Sequence, residues 1–211
     1  MKVNKKYNCL FIGNAIVDVV SEVSFDFLEK QKIDVGSWRP VSINEINELQ
    51  EKMSNIIIAS GGSAANSAVG FSLLGGRSAF IGRVKSDDFG SLYINDLKEA
   101  NVDFISNSVD TGNETGRCLV YVSPDAQRSM RTYLGAASNL SPENLDINAF
   151  ENSEIVYMEG YLWDEPVAKE AYKKAFDLSK KLEIKSVGNE LIFICNGQFA
   201  KAEIRLSLIH I

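Results

Sequence analysis

Residues 56–74 read IIIASGGSAANSAVGFSLL. An apolar, strand-like run enters the glycine pair Gly61-Gly62 and a helix-like run leaves it. That is the strand–turn–helix unit of an α/β protein. A glycine pair at such a junction often cradles phosphate, because the N–H groups of a helix N-terminus point at it. This one lacks the lysine that a GxxxxGK[ST] loop needs to reach the terminal phosphates, and it lacks GxGxxG as well. It offers close backbone approach at Gly61 and Gly62, and Asn66 in the first turn of the helix. On its own the stretch reads first as a plain turn ahead of a tightly packed helix.

Other apolar runs fit the same scheme. NCLFIGN (8–14), SAFIGRV (78–84) and EIVYMEGYL (154–162) have the pattern of strands buried on both faces, as IIIAS does. Helical segments lie between them. SINEINELQEKM opens with Ser42 and Glu45 in capping-box spacing, and DDFGSLYINDLKEA carries Phe89, Leu92, Tyr93 and Leu97 on one face. SPENLDINAF starts with a Ser141-Pro142 cap, and EPVAKEAYKKAFDLSKKL shows an apolar stripe at Val167, Ala171, Ala175 and Leu178. SAANSAVGFSLL is apolar nearly all round and is expected to be well buried. Strands alternating with helices predict a largely parallel sheet. DVGSWRPVS (34–42) and TGRCLVYVSPDAQRSMRTYLG (115–135) break the rhythm. The second holds a Pro124-Asp125 turn between two strand-like runs, a β-hairpin signal, and the two together predict a small accessory sheet over one end of the main one.

Composition narrows the function. With 22 Lys+Arg against 28 Asp+Glu the net charge is -6, which argues against nucleic acid or an anionic membrane surface as the main partner. No apolar run reaches the length of a membrane span, so the reading is a cytoplasmic protein. Cys9, Cys118 and Cys195 are widely spaced, without a CxxC or a Cys/His cluster, so no metal site is expected. The single histidine, His210, makes Ser-His-Asp and Cys-His chemistry a poor fit, leaving a carboxylate, lysine or tyrosine as any base.

FIGNAIVDVV (11–20) places Asn14 and Asp18 just past a buried strand. Ligand crevices of open α/β sheets lie at the carboxyl ends of strands. Asn donates and accepts while ionised Asp only accepts, a pair suited to sugar hydroxyls. The plain alternative is a turn-capping Asn14 and a solvated Asp18. Arg83 and Arg131 could each meet a phosphate, although a surface ion pair is the commoner fate.

Taken together, GNAIVD (13–18), GGSAAN (61–66), GRVKSDDFG (82–90) and TGRCLVYVSPDAQRSM (115–130) resemble the N-terminal half of the ribokinase/PfkB family of sugar and nucleoside kinases. The likeness covers about residues 7–185, and TGRCLVYVSPDAQRSMRTYLGAA with YMEGYLWD is most similar to the bacterial adenosine kinase and sugar kinase branch. The resemblance implies a three-layer α/β/α fold with a β-sheet lid built from segments near 16–21, 34–42 and 115–135. It implies an acceptor site in which Asp18, helped by Asn14, and Asn66 bind hydroxyls. Gly61 and Gly62 would serve as hinge and backbone approach, and Leu119 and Tyr161 are candidates to hold a base. It implies transfer of the γ-phosphoryl group of ATP, with Mg²⁺, to a primary hydroxyl of adenosine or a related sugar, and a homodimer through the lid. A non-catalytic sugar- or nucleoside-binding protein of the same fold is the alternative.

The family's catalytic aspartate and anion hole sit in a Gly-Ala-Gly-Asp motif that does not occur in this sequence. No catalytic residue is therefore assigned, and the chain is expected to be an inactive, C-terminally truncated portion of a kinase. The family likeness ends near Lys185. Residues 186–211 are unmatched, and the closing LSLIHI is expected to be frame-shifted or derived from a sequencing adapter.

Overall fold

The computed structural model describes residues 5–188, 192–195 and 198–201. The first strand, β1 (Tyr7–Ile12), is the centre of a five-stranded, all-parallel sheet. It lies between β5 (Ser78–Ile81) and β9 (Ser153–Met158), flanked by β6 (Val102–Phe104) and β10 (Lys185–Gly188) in the order β10-β9-β1-β5-β6. Its side chains alternate between two cores, as the period of a strand dictates. Cys9 and Phe11 pack with Ala64, Ala65, Ala68, Tyr93 and Leu97 of α3 (Ser63–Leu73) and α4 (Asp88–Glu99). Leu10 and Ile12 pack on the other side with Phe150 of α5 (Ile147–Glu151) and Ala168, Ala171, Tyr172 and Ala175 of α6 (Pro166–Lys181). Helices thus cover both faces, giving the expected three layers.

A second five-stranded sheet, of mixed direction, has the order β3-β8-β7-β2-β4. It is built from β2 (Ile16–Glu22), β3 (Trp38–Pro40), β4 (Ile57–Gly61), β7 (Gly116–Val122) and β8 (Arg128–Tyr133). One face carries a core of Val19, Leu119 and Tyr121 against Leu28 of α1 (Phe25–Lys30) and Ile46 and Leu49 of α2 (Ile43–Gln50). The other face carries Ile16, Cys118 and Val120, with Asp18 between Ile16 and Val20. The hairpin β7–β8 turns at Pro124-Asp125, where Ser123 N–H donates to the Gln127 carbonyl at 3.0 Å.

Three sequence expectations are corrected. IIIAS is not a strand of the main sheet buried on both faces. It forms β4, at one edge of the second sheet and antiparallel to β2, and Ile57 is 69% exposed. Continuous apolarity cannot tell a doubly covered strand from an edge strand with one open face. The helix α3 is buried only at Ala64, Ala65 and Ala68, and its apolar end leaves Leu73 at 78% and Leu74 at 90% exposed. SPENLDINAF is not one helix. A 3₁₀ turn at Pro142–Asn144 stops where Asn144 folds back onto the Ser141 N–H at 2.8 Å, and Asp146 then caps α5 through the N–H groups of Asn148 and Ala149.

The parallel sheet continues to Gly188, and Ile192–Cys195 and Gln198–Lys201 pair as an antiparallel hairpin, β11 and β12. The terminal LSLIHI lies outside the described residues.

Candidate acceptor site at the sheet–lid junction

β1 ends at Ile12 because its neighbours end there too: Ile12 is paired with Ile81 of β5 and Met158 of β9. The chain then crosses through Gly13-Asn14-Ala15 into β2 of the second sheet. It crosses back at Gly61-Gly62, from β4 into α3. These two crossings lie side by side. Tyr93 of α4, fully buried, reaches both with its hydroxyl, 3.4 Å from the Gly61 carbonyl and 3.5 Å from that of Asn14.

The two glycines are required for different reasons. Gly62 has φ +94°, and a Cβ there would collide with the carbonyl oxygen of Asn14. That backbone region is poorly tolerated by any other residue. A Cβ on Gly61 would lie 2.5 Å from the carboxyl carbon of Asp18. The glycine pair therefore brings the backbone against Asn14 on one side and Asp18 on the other.

Asp18 sits on β2 opposite Ala59 and Cys118. Burial pushes its carboxyl up from 3.8 to about 6, opposed by the charge of Arg128. Asn14 is 5% exposed, and its Oδ1 is buried without a hydrogen-bond partner among the described residues. Asn66 follows Gly62 by one helical turn, its N–H on the Gly62 carbonyl at 2.9 Å and its side chain exposed. Asn14, Asp18, Gly61 and Gly62 are thus gathered at one place, with Asn66 one turn along α3.

The remaining candidates lie elsewhere. Leu119 is fully buried against α1 and α2, on the opposite face of the lid sheet from Asp18 and Cys118. The alternation of a strand makes it a core residue of the second sheet, facing away from Asp18. Tyr161 stands just beyond β9 and is 59% exposed. Arg83 donates to the Asn139 carbonyl at 2.7 Å, pinning a loop. Arg131 is buried and holds the Ser37 hydroxyl at 3.1 Å. Arg131 also donates to the Met130 carbonyl at 2.8 Å, so both guanidinium groups hold backbone.

Sequence reasoning missed Glu159. It follows β9, is fully buried, and its carboxylate accepts from the Asn14 N–H, from Ser63 Oγ at 2.6 Å and from the Ala64 N–H at 2.9 Å. Burial pushes its carboxyl up, while the hydroxyl and amide donors pull it down. A Cβ on Gly13 would strike the Glu159 side chain. The signal was present in YMEG, where a carboxylate follows an apolar run directly, as Asn14 follows NCLFIG.

A third crossing is tied by Asp87. It caps α4 at the Gly90 N–H (2.8 Å) and takes both the N–H (2.9 Å) and the hydroxyl (2.6 Å) of the fully buried Thr115, just ahead of β7. Among the described residues no three His, Cys, Asp or Glu side chains gather as a metal site, and no helix is long and apolar enough to cross a membrane. None of these residues is assigned to Mg²⁺ or to ATP.

A parallel sheet wrapped by helices, joined to a second sheet of mixed direction, is the architecture of the ribokinase-like fold. Residues 30–191 match the pfkB family of carbohydrate kinases, and the chain belongs to that family. Its fold superposes on the adenosine kinase of Sinorhizobium meliloti with a TM-score of 0.81 at 37% identity, covering 87% of this chain and 56% of that one. A probable sugar kinase of Rhizobium etli gives 0.81 at 32% identity over the same shares. Among curated relatives, a 5-dehydro-2-deoxygluconokinase of Clostridium perfringens is 28% identical over 163 residues, 74% of this chain and 48% of that protein. A probable fructokinase-4 of Arabidopsis thaliana is 28% identical over 127 residues, 59% of this chain and 39% of that protein. The chain spans about half or less of the length of these relatives.

Proposed function

We propose that this chain forms the acceptor side of a kinase that transfers the γ-phosphoryl group of ATP to a primary hydroxyl of adenosine or a related sugar. The observation that carries this reading is the junction cluster. Asn14 and Asp18 present oxygens at the carboxyl end of β1, and the glycine pair lets the backbone close on them. Such a site binds a polyol by accepting from its hydroxyls. The lid above it would exclude water, the competing phosphoryl acceptor.

The donor nucleotide and its Mg²⁺ belong to the proposal through the family, and no residue described above is given a role in holding them. Phosphoryl transfer depends on positioning and electrostatic stabilisation of the transferring group. The sequence carries no Gly-Ala-Gly-Asp element to supply that stabilisation, so the 211-residue chain is proposed to bind acceptor without turning it over. A homodimer through the lid is part of the same proposal. Sedimentation of the chain against Ile57→Lys on the exposed β4 tests it.

Isothermal titration of the purified chain with adenosine, ribose and fructose tests the acceptor reading. Binding of at least one, weakened about tenfold or more by Asp18→Ala, is the expected result. Equal affinity in the variant removes Asp18 from the site. Formation of a phosphorylated sugar from ATP would overturn the inactivity of the chain.

A further inference from the structure

We propose that the helix-covered interior of the second sheet binds a small monovalent anion of the halide class, held between the Arg131 guanidinium and the Tyr121 hydroxyl. The site lies on the opposite face of that sheet from Asp18, and the inference is independent of the acceptor reading above.

The strand register places the two groups together. In the β7–β8 pair Arg131 stands opposite Leu119, and Tyr121 stands opposite Ser129. Leu119 and Tyr121 point into the core beneath α1 and α2, so Arg131 shares that face. The two are diagonal neighbours on it, about 7–8 Å apart along the backbone and within reach of long side chains. Both are deep: Arg131 is 4% exposed and Tyr121 0%. Each keeps a polar atom without a hydrogen-bond partner among the described residues, Nε of Arg131 and the hydroxyl of Tyr121. Nε–H can only donate, and the hydroxyl has a hydrogen to give. Buried polar groups are normally satisfied, and two donors side by side call for one acceptor.

Charge decides what kind of acceptor. Nη1 of Arg131 donates to neutral groups alone, the Met130 carbonyl at 2.8 Å, the Ser37 hydroxyl at 3.1 Å and the Ser37 carbonyl at 3.5 Å. Among the described residues no carboxylate lies within ion-pair distance of it. The acidic side chains whose charges act on it are Glu45 of α2 and Asp34. Glu45 is taken by Arg39, which bonds both of its oxygens, and Asp34 is exposed. Arg39 also stands directly opposite Arg131 in the β3–β8 pair, and like charges so placed repel. A buried guanidinium without a counterion is costly. Water would accept both hydrogens and leave the charge uncompensated; an anion answers both needs. Burial then selects the ion. Tyr121 has no contact with solvent, and two donors cannot replace the hydration of phosphate or sulfate, whereas a halide is singly charged and less strongly hydrated.

The chain between α1 and β3 roofs the pair. The Phe27 ring lies 5.8 Å from that of Tyr121, the Gly36 N–H donates to the Ser129 hydroxyl at 2.9 Å, and the Met130 N–H donates to the Ser37 carbonyl at 2.8 Å. An anion beneath this roof fastens residues 27–37 to β7 and β8.

Bromide, which scatters anomalously, is the direct probe. Crystals of the 211-residue chain grown in sodium bromide are expected to show an anomalous peak between Arg131 Nε and the Tyr121 hydroxyl. An ordered water there, without anomalous signal, overturns the proposal. In solution, urea unfolding at constant ionic strength compares sodium chloride with sodium methanesulfonate, whose anion is too large for the site. The folding equilibrium constant of the wild type should be about tenfold higher in chloride. Arg131→Met and Tyr121→Phe should lose that gain, and general salt effects common to all three chains cancel in the comparison. Amide exchange at Gly36 and Met130 should slow in chloride in the wild type alone. A chloride gain of equal size in wild type and Tyr121→Phe overturns the proposal. That variant keeps the packed ring, so the result stands even where Arg131→Met fails to fold.

Discussion

The carboxyl group of Asp18 occupies the space that a side chain at residue 61 would need, with the Gly61 Cβ position only 2.5 Å from the carboxyl carbon. Asp18 and Gly61 are therefore one feature, although 43 positions separate them (61 − 18). Gly61→Ala is predicted to push Asp18 off its position and to cut acceptor binding about as much as Asp18→Ala does. The steric cost to stability should be about 1–3 kcal/mol. Calorimetric titration and urea unfolding of both variants check this. A Gly61→Ala chain with wild-type affinity would show that Asp18 can move without consequence.

The same buried carboxyl gives a pH prediction. Its pKa rises from 3.8 to about 6 on folding, so the native state holds this proton more tightly than the unfolded chain does. Asp18 therefore favours folding below about pH 4, and that contribution fades as the pH climbs through about 6. Asp18→Asn should match wild type in urea midpoint near pH 4 and exceed it near pH 7.5. Acceptor affinity should run the opposite way in wild type, rising through about pH 6 as the carboxyl ionises, and should be flat in Asp18→Asn. A site that costs stability in its binding-competent form is the usual trade at a functional position.

Asp87→Ala should be one of the most destabilising surface-directed changes. It removes the cap of α4 at Gly90, leaves the N–H of the fully buried Thr115 without its acceptor, and leaves the Thr115 hydroxyl only the Lys85 carbonyl at 3.5 Å. A lost cap costs about 1 kcal/mol and a buried unsatisfied donor about 1–3 kcal/mol, so a loss of about 2–4 kcal/mol is expected. Urea unfolding measures it. Hydrogen exchange should accelerate at Thr115 and at the first turn of α4 together, because one side chain holds both.

These cases show what the sequence could and could not disclose. The strand–turn–helix rhythm, the hairpin at Pro124-Asp125 and the placing of Asn14 and Asp18 just past a buried strand are local patterns, and local patterns are visible in a linear chain. What escaped is long-range. Glu159 meets Asn14 across 145 positions and Ser63 across 96, and nothing near YMEG announces either partner. The facing of Leu119 is hidden too, because the apolar stretch CLVYV conceals its own period; the structure shows that Cys118 and Val120 share one face and Leu119 takes the other. The edge position of IIIAS was concealed for the same reason.

Arg117 offers a test in which chemical similarity misleads. Its guanidinium is buried between the lid sheet and α2, donating to Gln50 at 2.8 Å, Asn47 at 2.7 Å and Glu114 at 3.2 Å, and it lies 5.1 Å from the centre of the Phe89 ring. Burial lowers its pKa, partly offset by the charges of Glu114 and Asp87. Lysine would place a compact, strongly hydrated ammonium in the same slot without the planar fork that serves three acceptors. Methionine would fill much of the volume and keep contact with Phe89. The three acceptors would not be stranded, since Asn47 is exposed, Gln50 is half-buried and Glu114 is about half exposed, so water can take over. The predicted order of stability is therefore wild type, then Arg117→Met, then Arg117→Lys, with about 1–3 kcal/mol between the two variants. Urea unfolding sets the order, and faster amide exchange in α2 of Arg117→Lys would locate the damage. A lysine variant as stable as wild type would mean that charge alone, rather than the fork and its stacking on Phe89, holds α2 to the lid.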